Sequence, residues 1–196
     1  MHIHSADSGK PYFSKRRRRF DDVRTARFLT FSCFNGFPFL SKDRTREWFV
    51  EAIQEARSRY PVDLWAWVLM PEHVHLLVWP RETGPITGKF QGFVKERVAR
   101  QAIQWLTEHD PSWLPRITRV EGTTIRRRFW QPGGGYDRNV EQNQVLLATI
   151  DYIHLNPVRR GLVERSIDWE WSSARWYHGD ESCRLEMDRT LPTSFQ

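Results

Sequence analysis

Two apolar runs that are separated by only two residues constrain the fold of this chain more than any other feature. The run VDLWAWVLM covers residues 62–70, the run HVHLLVW covers residues 73–79, and Pro71 and Glu72 lie between them. Short apolar runs bounded by a turn signal indicate buried strands. The sequence therefore predicts two neighbouring core strands, or one strand with a sharp break at the proline.

Further strand and helix patterns flank this pair. The segment RFLTFSCF alternates and predicts a first strand from Arg27. Apolar residues at helical spacing predict three helices: one from Ser41 or Asp43 to about Tyr60, one from about Ile86 to Thr107, and one from Glu141 to about Leu155 that Pro157 and Gly161 end. Residues 109–128 predict a loop and a strand or hairpin, and residues 132–135 predict a flexible glycine-rich connection.

Together these elements predict an α+β fold in which helices cover one face of an antiparallel sheet. At 196 residues and 39% hydrophobic, the chain can build one full core but is too short for two domains. We expect a basic flexible arm over residues 1–20, one domain over 21–178, and a C-terminal tail over 179–196.

The charge pattern points to a polyanionic partner. The net charge is +6, and 25 of the 30 basic residues are arginines, which bind phosphate oxygens bidentately. Aromatic residues follow two of the arginine clusters, as they do in grooves that bind single-stranded nucleic acid. The candidate DNA-binding residues are Arg16, Arg17, Arg18 and Arg19; Arg126, Arg127, Arg128 and Trp130; and Arg159 and Arg160. The alternative is that the arginines form a solvated surface and that Trp130 is a core residue.

The expected cellular compartment follows from three features that are missing from the sequence. No stretch approaches the roughly 20 apolar residues of a membrane span, and the N-terminal segment lacks the apolar core of a signal peptide. Cys33 and Cys183 form neither a disulfide framework nor a C-x-x-C metal motif. We expect a cytoplasmic protein in a reducing compartment, with no membrane partner.

Two histidines open the second apolar run. Because side chains at i and i+2 of a strand share one face, His73 and His75 project together, while Val74 and Leu76 point the other way. Paired imidazoles on a rigid strand suit a metal ion and leave most of its coordination sphere open. The alternative is that both are ordinary hydrogen-bonded histidines of a strand.

The last long helix offers a second set of reactive groups. Tyr152 and Asn156 are four residues apart, so they lie on one helical face. A tyrosine hydroxyl can act as a covalent nucleophile, and an amide oxygen is a good ligand for Mg²⁺ or Mn²⁺. Because Pro157 follows, Asn156 is predicted at the helix end. Taken singly, Tyr152 would be a packing residue and Asn156 a C-terminal cap.

Four motifs in order resemble one protein family. These are MPEHVHLLV, FWQ at 129–131, YIHLNPVRRGLV, and DWEWSSARWY at 168–177, and they lie within about residues 27–177. In this combination the chain resembles the REP-associated tyrosine transposases of the single-tyrosine HUH transposase superfamily. The chain departs from the family pattern in the glycine-rich connection after FWQ and in an inserted loop around residues 109–125, which bear on DNA specificity.

The resemblance implies a fold and a mechanism. The fold would be a ferredoxin-like or RRM-like antiparallel sheet with helices on one face and the active site on the other. His73, His75 and Asn156 would hold Mg²⁺ or Mn²⁺, with Zn²⁺ binding unproductively, and Tyr152 would be the nucleophile. The substrate would be a single-stranded DNA hairpin, a REP-like palindrome, cut through a 5′-phosphotyrosine intermediate. Tyr136 is the rival nucleophile, ranked second because a flexible glycine loop would hold it poorly.

Three functions therefore compete. The leading one is an active DNA nickase and strand transferase of the bacterial nucleoid, with a monomer favoured over a dimer. The second is a domesticated protein that binds hairpin DNA without cutting it. The third is a metal-dependent hydrolase in which water attacks in place of Tyr152.

Overall fold

The computed structural model describes residues 24–180 and 182–192. The predicted basic arm, with Arg16 to Arg19, lies outside the described residues. The strands are β1 (Ala26–Ser32), β2 (Val62–Leu69), β3 (His73–Pro80), β4 (Thr118–Glu121), β5 (Thr124–Arg127) and β6 (Tyr136–Val140). The helices of four residues or more are α1 (Asp43–Arg59), α2 (Ile86–His109), α3 (Leu114–Ile117), α4 (Asn143–Arg159) and α5 (Ala174–Tyr177).

Four strands form an antiparallel sheet in the order β2-β3-β1-β6, and β4 and β5 form a separate two-stranded ribbon. Leaving the ribbon aside, the chain runs strand, helix, strand, strand, helix, strand, which is the ferredoxin-like arrangement. The predicted α+β fold with an antiparallel sheet is confirmed.

The two apolar runs are two strands rather than one broken strand. The backbone N–H of Met70 donates to the carbonyl of His73 at 2.9 Å, which closes the turn through Pro71 and Glu72. The carbonyls of Pro71 and Glu72 accept from Leu40 and Cys33. Because the turn has its own hydrogen bonds, it places His73 at the first residue of β3, where that strand pairs with β1.

Helices cover both faces of the sheet, which refines the prediction. Val74, Leu76 and Val78 of β3 belong to one core cluster with α1 and α2. On the opposite face, Leu77 packs with Ile150 and Ile153 of α4 in a second cluster. Helix α4 therefore lies on the face that carries the histidines, because alternate residues of β3 point that way.

Helix α4 continues past Pro157 and ends at Arg159, so the predicted end near Leu155 is wrong. A proline ring within a helix removes one backbone hydrogen bond and crowds the preceding turn. Here the last turn is closed by the N–H groups of Arg160 and Gly161, which donate to Asn156 and Val158, with Gly161 at φ +65°. Asn156 consequently lies within the helix and is buried.

The placement of Tyr136 in a flexible glycine-rich loop was wrong, because Tyr136 begins a strand. Strand β6 pairs with β1 from Tyr136 opposite Thr30 to Val140 opposite Ala26. Its sequence, YDRNV, lacks the apolar alternation that predicts a strand. Backbone pairing holds it, together with a bidentate ion pair between the buried Arg27 guanidinium and Asp137, with both N–O distances at 2.8 Å.

The segments after α4 cover the outer edge of β2. The N–H of Leu69 donates to Trp171 and the N–H of Ser173 donates to Trp67, so the WSS part of the fourth motif runs beside β2. Beyond it, Leu185 and Met187 are buried in the first core cluster. Among the described residues, no helix has the length and apolar character that crossing a membrane requires.

Candidate active site

The two histidines converge on one point. Their Nε2 atoms lie 3.1 Å apart, and their ring centroids lie 4.7 Å apart at 75°. His75 is buried and His73 is half-buried. The predicted common face of the pair is confirmed by this geometry, and the two nitrogens that face each other are those farthest from the backbone.

The other ring nitrogen of each histidine, Nδ1, lies within hydrogen-bond distance of an oxygen atom that orients the ring. The Nδ1 of His73 lies 3.1 Å from Oε1 of Glu72, and the Nδ1 of His75 lies 2.7 Å from Oγ1 of Thr30. A carboxylate can only accept, so Nδ1 of a neutral His73 carries the proton and its Nε2 presents a lone pair. The hydroxyl of Thr30 can accept from His75 in the same way, which would leave both Nε2 atoms available to one cation.

Burial keeps both imidazoles neutral. Burial, with a smaller contribution from the neighbouring His73, lowers the pKa of His75 to about 3. Burial is also the main cause that lowers the pKa of His73, which the Glu72 carboxylate and the Asn156 side chain oppose. A neutral imidazole is the form that ligates a metal ion.

Helix α4 brings the second set of groups to the same place. The ring of Tyr152 packs against that of His75, with centroids 5.4 Å apart, and edge-on against Phe28 at 5.9 Å. One turn later, Asn156 lies near His73, close enough for its side chain to oppose the lowering of the pKa of that imidazole. Tyr152 remains 39% exposed, so its hydroxyl is open to a large substrate, whereas Asn156 is only 7% exposed.

Two arginines at the end of α4 flank the site. The guanidinium of Arg159 lies over the Tyr152 ring, 5.2 Å from its centroid. Arg160 forms an ion pair with Glu72 at 2.8 Å, so it contacts the same carboxylate that orients His73. Both arginines are exposed and bring positive charge beside the phenol, where an incoming phosphate would need it.

The donor set fits a divalent metal ion. Two nitrogen ligands at right angles, each about 2.1 Å from an octahedral metal, lie about 3 Å apart, close to the 3.1 Å between the imidazoles. Within the described residues no group of three or more His, Cys, Asp or Glu side chains could hold a metal. A third protein ligand here would therefore be the buried carboxamide of Asn156.

Other predicted DNA-binding residues lie elsewhere, and one is buried. Trp130 is 6% exposed, packs against Phe31 and donates from Nε1 to the carbonyl of Lys95 at 2.9 Å. No face of its ring is left for a base, so its assignment as a stacking platform was wrong and it is a core residue. Arg126 and Arg127 are exposed on β5, and Arg128 is half-exposed directly after it.

Sequence reasoning missed the residues that orient the histidines. Thr30 and Phe28 share the histidine face because β1 pairs with β3, with Thr30 opposite His75. Their alternation in RFLTFSCF was visible, but the register that places Thr30 at His75 was not. Glu72 is next to His73 in the sequence, but only the geometry of the turn shows that its carboxylate contacts the imidazole ring.

A cleft of about 270 Å³ opens between β1 and the chain that leads into β6, lined by Thr30, Gln131 and Tyr136 among others. Tyr136 is 37% exposed and packs edge-on against Phe28 from the β6 side, with centroids 6.0 Å apart. Phe28 therefore separates two tyrosines of similar exposure. The ring of Tyr152 is the one packed against His75.

Comparisons with known proteins agree with the motifs. No protein-family model matches the chain. It is 28% identical over 156 residues to a Haemophilus influenzae protein provisionally named REP-associated tyrosine transposase, which spans 76% of this chain and 82% of that protein. It is 24% identical over 131 residues to an Escherichia coli REP-associated tyrosine transposase, which spans 66% of this chain and 62% of that protein.

A solved structure shows the same fold. It is that of a REP-associated tyrosine transposase bound to a REP hairpin, with a TM-score of 0.65 over 92% of this chain and 95% of that chain, at 19% identity. The resemblance carried by the four motifs is thereby confirmed: this chain is similar in sequence to REP-associated tyrosine transposases and has the fold of one.

Proposed function

We propose that this protein is a metal-dependent DNA nickase and strand transferase that binds single-stranded DNA hairpins and cuts them through a 5′-phosphotyrosine intermediate. The observation that carries the proposal is the meeting of Tyr152 with His75 and of Asn156 with His73 on one face of the sheet. An exposed phenol beside two neutral imidazoles and a buried carboxamide is a suitable set for attack on a phosphodiester.

The chemical step uses the hydroxyl of Tyr152. Its oxygen forms a bond to the scissile phosphorus, the bond from phosphorus to the 3′ oxygen breaks, and that oxygen leaves as a 3′ hydroxyl after it takes a proton. The phenolic proton passes to solvent. Since the phosphotyrosine bond conserves the energy of the broken linkage, a 3′ hydroxyl of a second strand can reverse the step and exchange strands.

His73, His75 and Asn156 would hold Mg²⁺ or Mn²⁺, which supplies polarisation of a nonbridging phosphate oxygen and stabilises the developing charge. Glu72 and Thr30 keep the two imidazoles in the orientation that ligation needs. Arg159 and Arg160 bind the phosphates on either side of the scissile bond. We infer that the cleft lined by Thr30, Gln131 and Tyr136 receives a nucleotide next to that bond.

The relatives support the choice of DNA. Two carry the name of REP-associated tyrosine transposase, and a protein of the same fold is bound to a REP hairpin. The net charge of +6 suits a polyanion. All four reactive groups come from one chain, which supports a complete site in a monomer. A DNA substrate and bacterial relatives support action at the bacterial nucleoid.

A denaturing gel tests the proposal. We expect the protein, mixed with a 5′-tailed hairpin oligonucleotide and Mn²⁺, to give a covalent protein–DNA adduct that Tyr152→Phe abolishes. His75→Ala is expected to abolish cleavage while it leaves much of the hairpin binding, because it removes a ligand and no DNA contact.

The matched control is Tyr136→Phe, which removes a hydroxyl of similar exposure on the other side of Phe28. We expect it to form the adduct at close to the rate of the unmodified protein. An adduct that persists in Tyr152→Phe and disappears in Tyr136→Phe would identify Tyr136 of β6 as the nucleophile. Cleavage without any adduct would indicate a hydrolase, and a gel shift without cleavage would indicate a hairpin-binding protein.

A further inference from the structure

The ribbon of β4 and β5 lies outside the four-stranded sheet and is largely exposed. Residues 122–127 are exposed throughout, and so are Arg119 and Val120. The base of the ribbon, by contrast, is fixed. Ile117 is fully buried, and its carbonyl accepts from the N–H of Arg128 at 2.8 Å, directly before the buried Phe129. The result is a short arm with a rigid root and an open tip.

The ribbon is strongly basic. Between residues 116 and 128 the sequence contains five arginines and a single acidic residue. The register places Arg119 opposite Arg126, and Thr118 opposite Arg127. Two arginines directly opposite each other concentrate positive charge on one face of the ribbon. A polyanionic partner would complement this concentration of charge.

The opposite side of the ribbon is apolar and open. Val120 pairs with Ile125, and these two side chains are 70% and 71% exposed. Because directly opposed residues of a ribbon point to the same face, Val120 and Ile125 lie together next to Arg127. Large apolar side chains this exposed contribute nothing to the core, so their value lies in what they contact outside the chain.

We propose that this ribbon, residues 118–127, is a groove-binding element that enters the major groove of the double-stranded stem of the DNA hairpin. Two strands are about 4.8 Å apart, and the major groove, about 12 Å wide, admits such a ribbon. Arginines then contact phosphates and guanine edges, and Val120 and Ile125 contact thymine methyl groups. The choice of DNA as occupant rests on the proposed function and on the charge of the ribbon.

The position of the ribbon relative to the active site supports this mode. After β5, the N–H of Gln131 donates to Ser32, and Ser32 lies opposite His73 in the sheet. Two strand spacings of about 5 Å therefore separate the chain leaving the ribbon from the histidine pair. One turn of DNA is about 34 Å long, so a single hairpin can contact the ribbon with its stem and Tyr152 with the strand beside the stem.

Binding measured without metal tests the ribbon independently of cleavage. The probes are a pool of stem-loops with randomised stems and the single-stranded tail alone, each labelled for fluorescence anisotropy. For Arg126→Gln with Arg127→Gln we expect at least about a tenfold loss of affinity for stem-loops, and a salt dependence with a slope smaller by about 2. Affinity for the tail is expected to change by less than about twofold.

The control variant removes two positive charges elsewhere. Arg59 and Arg100 are 56% and 63% exposed on α1 and α2. Arg59→Gln with Arg100→Gln is expected to keep the stem-loop affinity of the unmodified protein to within about threefold. If both double variants lose the same affinity, the ribbon has no special role and the proposal is overturned.

A second variant tests the readout of sequence. Val120→Ser with Ile125→Ser changes two exposed side chains, and its thermal unfolding should match that of the unmodified protein. We expect selection from the randomised pool to yield a preferred stem with the unmodified protein and a weaker preference with this variant. An unchanged preference would overturn the contact with bases.

Two outcomes separate this inference from the proposed function. Loss of stem-loop binding in the ribbon variants, together with no adduct in any protein, would support stem binding by the ribbon and contradict the proposed nuclease activity. If the ribbon variants bind the stem-loop with unchanged affinity and the adduct still forms normally, the nuclease activity is supported and stem binding by the ribbon is contradicted. A dimer in solution without DNA that Val120→Ser with Ile125→Ser dissolves would assign the apolar face to a second copy of the chain and overturn the proposal.

Discussion

At the scale of single residues, the candidate site depends on the partners of the two imidazoles. His73 and His75 stand in the sequence as a bare H-x-H, a pattern with little specificity. In the fold each has a distinct oxygen partner, Glu72 for one and Thr30 for the other. These contacts fix which nitrogen of each ring faces the common point, so they orient the rings for ligation.

Thr30 offers a direct test of this idea. We expect Thr30→Val, which keeps the shape of the side chain and removes its hydroxyl, to lower adduct formation at limiting Mn²⁺ by about 10-fold to 100-fold. The reason is that the buried Nδ1 of His75 loses its partner. The measurement is the rate of adduct formation as a function of Mn²⁺ concentration.

Thr30→Ser serves as the conservative control, since it restores the hydroxyl and should recover most of the rate. Hairpin binding without metal should be equal in all three proteins. A Thr30→Val protein with the metal dependence of the unmodified one would show that the hydroxyl has no part in positioning His75.

At the scale of elements, the glycine-rich connection allows strand β6 to pair with β1. Gly135 has φ +72°, and a Cβ built on it would lie 2.1 Å from the carbonyl oxygen of Thr30. The chain can pass this close to β1 only without a side chain. Gly135 directly precedes Tyr136, the first residue of β6. The residue that it approaches, Thr30, is also the one that orients His75.

Replacement of two glycines separates this contact from backbone strain. Gly133 also has a positive φ, +91°, but open space around its Cβ position. We expect Gly135→Ala to lower the free energy of unfolding by about 1–3 kcal/mol more than Gly133→Ala, as overpacking does. Urea unfolding at neutral pH measures the difference.

Gly135→Ala should also reduce adduct formation, because the strand that carries Thr30 must shift. Gly133→Ala should leave adduct formation close to that of the unmodified protein. Equal effects of the two substitutions on stability would mean that φ alone, and not the approach to Thr30, sets the requirement for glycine.

At the scale of the whole molecule, buried neutral histidines couple folding to pH. Burial, with a smaller contribution from the electrostatic interaction with His178, lowers the pKa of His154 to about 4. The Nε2 of His154 lies 2.8 Å from Oγ of Ser173, whose N–H donates to Trp67 in β2. His154 therefore links α4, with Tyr152 and Asn156 on it, to the segment that covers the edge of the sheet.

The sign of the pH effect follows from proton binding. Below pH 6.5 the unfolded chain binds a proton at position 154, whereas the folded chain does so only near pH 4, so acid favours the unfolded state. His75 acts in the same direction, with a pKa lowered to about 3. We expect the free energy of unfolding to fall as the pH decreases from about 6.5 towards 4, by up to about 1.4 kcal/mol per pH unit for each such histidine.

Urea unfolding of the unmodified protein and of His154→Gln between pH 8 and pH 4 checks this. The glutamine can keep a hydrogen bond to Ser173 and does not titrate, so its stability should fall less steeply in that range. Parallel curves for the two proteins would show that His154 is not neutral in the fold.

The sequence by itself determined the secondary structure of the central elements and the identity of the candidate reactive residues. Alternation and helical spacing are local properties, so β1, β2, β3, α1 and α2 could be predicted, as could the pairing of His73 with His75 on one face. The helix that carries Tyr152 and Asn156 could also be predicted, but not its true end beyond Pro157.

Tertiary structure decided everything that depends on register and on burial. The pairing of β1 with β3 placed Thr30 at His75, and the pairing of β6 with β1 converted a glycine-rich connection into an edge strand. Trp130 had a basic, aromatic context typical of a stacking platform, yet it completes the core. Local sequence specifies which face a side chain takes along its own element, whereas its neighbours come from distant segments whose alignment is set by packing and backbone pairing.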